Sequence, residues 1–371
     1  MTTDLVPAPP RRAPFFAFGA RPRDARRERI EASPHQRGGV FQNPVTTRLA
    51  SPGKILPVAW QWLAGREERV PKAEVPHAPL DPAVFDRGPP DGLRVTWMGH
   101  SSVLLEIEGC RVLTDPVWSP RIGPVRGTGP RRFMAAPVPL EALPALDAVL
   151  ISHDHYDHLD VGSVLALASR GVPFVTALGV GAHLEAWGIP ASQITELDWW
   201  ESHAIGRLTF TAAPARHFSG RGGLAKRTLW ASWAIKGRER SVWFSGDTGP
   251  WEGFAEVGRR LGPFDLSMIE IGAWHPSWGS VHLGPDEALK VHQAVGARVM
   301  KPVHWGTFNL ALHAWDDPIT RLIEIADAAG VALAAPLAGQ LVVPERPFVA
   351  DAWRARAEAA LSARPLAVPP G

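Results

Sequence analysis

The chain has 371 residues, 45% hydrophobic and 20% charged, which is enough apolar content for a sizeable core and too much for a disordered chain. Lys and Arg number 39 against 37 Asp and Glu, a net charge of +2, so the one-sided field of a nucleic-acid binder is excluded. A single cysteine, Cys110, rules out an intrachain disulfide and a cysteine metal cluster, and no apolar run reaches the roughly 18–20 residues that cross a bilayer.

The first 90 residues are rich in proline, and residues 1–40 hold eight Arg and four acidic residues. They read as an N-terminal extension over 1–90, partly disordered and packing on a later core. The Arg11-Arg12 pair precedes a short apolar stretch interrupted by Pro14, which does not make a signal peptide, so a cytoplasmic protein is expected. From Leu93 the texture changes to short runs of Val, Leu and Ile between Gly, Pro and Asp, and these predict strands at 93–98, 103–107, 111–114 and 148–151. A helix at 161–170 and a strand at 173–176 follow, then strands at 207–212, 230–235 and 242–244 and a buried strand at 266–271. Pro285-Asp286-Glu287 opens a helix with proline and acids in its first turn, running to about residue 295 and followed by a strand at 298–303. No linker divides this span, so one catalytic domain is expected over 91–345, with a tail at 346–371.

Chemistry concentrates directly after the strand at 148–151. His153-Asp154-His155-Tyr156-Asp157-His158-Leu159-Asp160 packs three His and three Asp into eight residues. In extended chain, residues two apart point the same way, so His153 and His155 face one metal while Asp157 and His158 on the returning turn face a second. A surface loop with fortuitous histidines is the weaker reading, because clustered imidazoles repel one another once protonated and serve no packing need. Two metals need further donors, and His217, Asp247 and His304 each follow a predicted strand.

His153-x-His155-x-Asp157-His158 followed by His217, Asp247 and His304 resembles the metallo-β-lactamase-fold hydrolases. Trp97-Met98-Gly99-His100-Ser101-Ser102, Leu197-Asp198-Trp199-Trp200-Glu201, Ala215-Arg216-His217-Phe218-Ser219-Gly220-Arg221, Gly246-Asp247-Thr248-Gly249 and His304-Trp305-Gly306-Thr307-Phe308 are similar to the branch of N-acyl-phosphatidylethanolamine-hydrolysing phospholipase D. Ser33-Pro34-His35 through Gln42-Asn43-Pro44 resembles an N-terminal signature of that branch. The resemblance implies an α/β fold, a four-layered αββα sandwich, with metals at one edge. It assigns His153, His155 and His217 to a first zinc, Asp157, His158 and His304 to a second, and Asp247 to a bridge between them, around a shared hydroxide that attacks a phosphodiester. Manganese and iron suit the same donors. Asp157, Asp247 and His282 are the catalytic candidates, with His282 placed near the substrate by the resemblance.

Several residues keep two readings at this stage. Asp115 and Asp160 are either acceptors for ligand imidazole N–H groups or turn and helix-capping carboxylates. Arg216 and Arg221 flank His217 and suit phosphate, against a default of surface solvation. Trp274, Trp278 and Trp305 either line an acyl groove or fill the core, and His100 reads as a buried structural residue. Gly179-Val180-Gly181-Ala182-His183-Leu184 lacks the third glycine of a dinucleotide loop. The stretch from Trp278 to His282 is shorter than in the lipid-hydrolysing members, which leaves the substrate open between a phospholipid and a lactone of the sugar-phosphate lactonase kind. A non-catalytic metal-binding protein is the third reading. The expected partner is a small-molecule or lipid substrate, with no nucleic acid, no transmembrane segment and room for peripheral membrane contact; oligomeric state is not legible.

Overall fold

The computed structural model describes residues 16–47, 55–87, 92–222, 225–275, 277 and 280–362; Arg11-Arg12 and Trp278 lie outside them. In chain order the extension supplies α1 (Asp24–Glu31), a ribbon of β1 (Gln36–Arg37) and β2 (Val40–Phe41), and α2 (Ile55–Ala64). There follow β3 (Leu93–Gly99), β4 (Ser102–Ile107), β5 (Cys110–Thr114), β6 (Ala148–Ile151), α3 (Val161–Ala168), β7 (Phe174–Ala177), α4 (Gly181–Ala186) and β8 (Ile194–Leu197). The second half contains β9 (Ser202–Ile205), β10 (Leu208–Ala213), β11 (Ser232–Lys236), β12 (Ser241–Phe244), α5 (Phe254–Leu261), β13 (Phe264–Glu270), α6 (Pro285–Val295) and β14 (Ala297–Val303). The chain then forms α7 (Asp317–Ala329), β15 (Leu341–Val342) and α8 (Asp351–Ser362).

These strands make a seven-stranded sheet in the order β15-β3-β4-β5-β6-β7-β8 and a six-stranded sheet in the order β14-β13-β12-β11-β10-β9. In the first, β5 to β8 run parallel; in the second, β12 to β14 do. Parallel neighbours need long crossovers, and α3, α4, α5 and α6 sit in those connections. Strands covered on both faces carry continuous apolar runs rather than alternation, as in the fully buried Ala148-Val149-Leu150-Ile151 of β6. Side chains of both sheets, among them Leu104, Val149, Phe210, Trp243 and Met268, belong to one buried cluster. With α4 against β8, and α6 against β13 and β14, the fold is a layered α/β sandwich.

The predicted strands and both predicted helices are present, shifted by one or two residues at their ends. Helix α6 has Pro285 in its first turn and stops at Gly296, whose φ of 70° is left-handed backbone suited to glycine. Strands β8, β9 and β15 and helices α5, α7 and α8 extend beyond the pattern; β9 is mostly exposed and polar, so it carries no apolar signal. Part of the extension is packed down. Ile30 and Phe41 are buried, and Ser33 donates to Asp198 at 2.6 Å. No helix among the described residues is long and apolar enough to cross a membrane.

Candidate metal centre

Parallel strands bring their C-terminal ends to one edge, and ligand sites of open α/β sheets collect there. The loop of 152–158 leaves β6, Asp247 follows β12, Glu270 ends β13 and His304 follows β14; His217 joins them from the loop after β10. His155, His158 and Leu159 close a turn through His158 N–H and Leu159 N–H, both bonded to the His155 carbonyl. That turn swings Asp157 and His158 away from the direction of His153 and His155.

All seven predicted ligands come together in two groups. Donor atoms of His153, His155, His217 and Asp247 lie within 4.8 Å of one another, and so do those of His100, Asp157, His158 and His304. Asp247 faces both. Its Oδ2 is 3.9 Å from His153 Nε2 and 3.7 Å from His217 Nε2, while Oδ1 is 3.1 Å from His158 Nε2 and Oδ2 is 3.1 Å from His304 Nε2. Asp157 Oδ2 stands 3.5 Å from His158 Nε2 and 3.4 Å from His304 Nε2. His158 Nε2, His304 Nε2 and Asp247 Oδ1 are buried without hydrogen-bond partners. Buried polar atoms are normally paired, so nitrogen and carboxylate donors orphaned around one point fit divalent cations.

The far sides of two of the imidazoles are bonded, which fixes their orientation. His217 Nδ1 donates to the Val281 carbonyl at 2.8 Å and His158 Nδ1 to Asp115 Oδ2 at 2.7 Å, which turns each Nε2 inward. Asp115 also accepts from the Ser152 hydroxyl and amide, so it takes the imidazole-orienting role. Asp160 does not. It caps α3 by accepting from Ser163 N–H and bonds Ser119, the other of its two readings. His100 bonds Asp157 Oδ2 through Nε2 at 3.1 Å and is 1% exposed, so it is a buried residue that orients a candidate ligand.

Electrostatics divide the two groups. Burial pushes His153 and His217 well below the ordinary imidazole value, helped by the positive charge of neighbouring histidines. Burial pulls His158 and His304 the same way, but the carboxylates facing them prevail: His158 is raised well above its ordinary value and His304 to about 10. Asp247 and Asp157 are held well below theirs, because imidazolium charge outweighs their desolvation. Protons on His158 and His304 balance the buried carboxylates in the place where a cation would do so.

Backbone strain gathers at this edge. His100, Asp115, Ala273 and His304 have φ of 52°, 34°, 60° and 61°, positions that cost about 1–3 kcal/mol each for residues other than glycine. Gly246, at φ 54°, has no room for a side chain, since a Cβ would lie 2.8 Å from both Ala231 O and Ser152 Cβ.

Glu270 is a site residue that the sequence reading missed. Its fully buried carboxyl accepts from Thr248 N–H and pairs through Oε2 with His282 Nδ1 at 2.8 Å. Burial and the charge of Asp247 raise it well above the carboxylate range, while burial lowers His282 to about 4. Glu270 and His282 share the hydrogen bond at Nδ1, which leaves the His282 Nε2 for other partners. A lone acid closing an apolar strand was the available signal. Asn43 had none. Its side chain donates to the His217 carbonyl at 2.7 Å and accepts from the His217 amide at 2.9 Å, across 174 residues.

Both flanking arginines are engaged by the protein itself. Arg221 is 1% exposed and donates to the carbonyls of Asp154, Leu159 and Ala17, tying the histidine loop to the extension. Arg216 bonds Thr47 Oγ1 and the Pro250 carbonyl. Trp305 is a core residue stacked 4.9 Å from Trp97.

The sequence profile of the β-lactamase superfamily domain matches residues 110–305. An uncharacterized protein of Mycobacterium tuberculosis is 45% identical over 329 residues, 87% of this chain and 88% of its own length. N-acyl-phosphatidylethanolamine-hydrolyzing phospholipase D 1 of Caenorhabditis elegans is 40% identical over 252 residues, 64% of this chain and 70% of that protein. Among solved structures, a metallo hydrolase of the archaeon Ignicoccus hospitalis has the same fold, with a TM-score of 0.53 at 21% identity over 67% of this chain and 97% of that one.

Proposed function

The chain belongs to the β-lactamase superfamily, near the N-acyl-phosphatidylethanolamine-hydrolysing phospholipase D-like branch, and from that premise we propose that this metal-dependent hydrolase is a dinuclear zinc phosphodiesterase. The observation that carries the reading is Asp247, whose carboxylate faces both donor groups at once. His153, His155 and His217 would hold one ion, Asp157, His158 and His304 would hold the other, and Asp247 would serve both. When bound, such a pair acidifies water and offsets charge on the attacking and departing oxygens.

The chain's own residues supply positioning and a proton. Asp115, His100 and the Val281 carbonyl hold His158, Asp157 and His217 in their orientations. In the hydrolysis, a P–O bond to the incoming water oxygen forms, the P–O bond to the alcohol breaks, the alcohol oxygen takes a proton and the attacking water gives one up to solvent. His282 delivers it from Nε2 and is replenished at Nδ1 by Glu270; its side chain keeps 16% exposure, enough to meet substrate from the mouth of the site. The exposed Trp60 and Trp62 of α2 suit contact with a lipid surface, in keeping with a phospholipid substrate taken by a peripheral protein.

The test is turnover by zinc-loaded protein of a bis-aryl phosphodiester, of N-acyl-phosphatidylethanolamine vesicles and of a lactone panel. Phosphodiester cleavage is expected. Turnover of lactones alone overturns the reading.

A further inference from the structure

A narrow pocket lies beside His304, and Arg69, His100, Phe308, Asn309 and His313 share its wall. Four of its nitrogens, Arg69 Nη1, His100 Nδ1, His304 Nδ1 and His313 Nε2, are buried without hydrogen-bond partners. A wall with that many unpaired polar atoms suits a polar occupant, because each left unpaired is a desolvation penalty. The sign of its charge follows from the lining: Arg69 is the one Lys or Arg in it, and no Asp or Glu is present.

Arg69 is also held in advance. Its Nη2 donates to the Trp62 carbonyl at 2.8 Å, and its guanidinium lies 4.7 Å from the Trp62 ring centroid. The neighbouring backbone is pinned to the domain by Trp315 N–H donating to the Glu68 carbonyl at 3.0 Å. Among the described residues no carboxylate stands within ion-pair distance of Arg69, so its charge is uncompensated. A fixed, unneutralised guanidinium with one free edge loses little freedom on meeting an anion, and its fork matches phosphoryl oxygens.

We propose that Arg69, reaching in from the N-terminal extension, forms an anion subsite beside the metal centre that holds a phosphoryl oxygen of the substrate. This deepens the phosphodiesterase reading and rests on it for the identity of the anion.

The test is calorimetric titration of metal-loaded protein with inorganic phosphate, which needs no turnover. Arg69→Gln is expected to weaken phosphate binding by on the order of tenfold or more. Arg69→Lys weakens it less, since an ammonium keeps the charge without the fork. Metal content and Tm stay at the parent values in both, and if the Gln variant fails to fold, the Lys variant decides. Phosphate affinity within about twofold of the parent in the folded variants means the metals alone hold the anion and overturns the subsite. Phosphate binding that depends on Arg69 in a protein that cleaves no phosphodiester keeps the subsite and sinks the reaction.

Discussion

His153 and His217 meet the shared Asp247 as neutral imidazoles, whereas His158 and His304 on its other side are held cationic by Asp247, Asp157 and, for His158, Asp115. Both sets leave β-sheet edges at the same end of the sandwich and both are buried, so burial alone does not separate them. The difference is the number of carboxylates each set faces. A cation entering the first set meets lone pairs that are already free, while one entering the second must displace protons. The two halves of one centre should therefore answer differently to acid, although both pass through Asp247.

The largest blow to that contrast is Asp247→Asn, which removes the shared charge and strikes both halves. Retention of both ions should fall by more than the roughly 100-fold that losing an outer partner costs, and turnover should collapse. Metal analysis after dialysis checks it, and loss of one ion only would break the symmetry assigned to Asp247. Acidification comes next. The raised pKa values of His158 and His304, about 10 for the latter, mean that protons compete with metal as pH falls, so affinity at the second half drops about tenfold per pH unit for each proton displaced. Affinity at the first half, whose imidazoles stay neutral, changes little over the same window. Calorimetry in buffers of different ionisation enthalpy reads the released protons directly; equal release for both ions would contradict the contrast.

Asp115→Asn sharpens it further. Removing the acceptor of His158 Nδ1–H should weaken one ion of the two by about 10–100-fold and leave the other in place. Asp160→Ala is the smallest effect. As a cap of α3 it should lower stability by about 1 kcal/mol in urea unfolding, with metal content unchanged. A metal defect in that variant would return Asp160 to the imidazole-orienting role.

The seven candidate ligands were legible because each sits where a short apolar strand ends in His or Asp, a break in texture that one sequence displays. Individual strands were legible for the same reason, since a buried parallel strand such as β6 carries an unbroken apolar run, whereas their pairing into two sheets came only from the family resemblance. What acts on the ligands from behind was not. Asp115 and Asp160 are both acids next to Val or Pro after apolar segments, and only tertiary placement turns one toward an imidazole and the other toward a helix end. Asn43 and Arg221 act through backbone carbonyls and amides far away in sequence, and such partners leave no local pattern. Glu270 was hidden by its surroundings, because a charge inside an apolar strand reads as strand. Helix α7 was missed although it carries the signals that mark α6, with Pro318 in its first turn and Gly330 stopping it at φ 65°.

Metal stoichiometry of the purified protein, followed through chelation and zinc return, bears most directly on the proposed centre. The account predicts two divalent ions per chain, loss of phosphodiester turnover as they are stripped, and recovery when both are restored. Undiminished turnover by protein emptied of metal would contradict it.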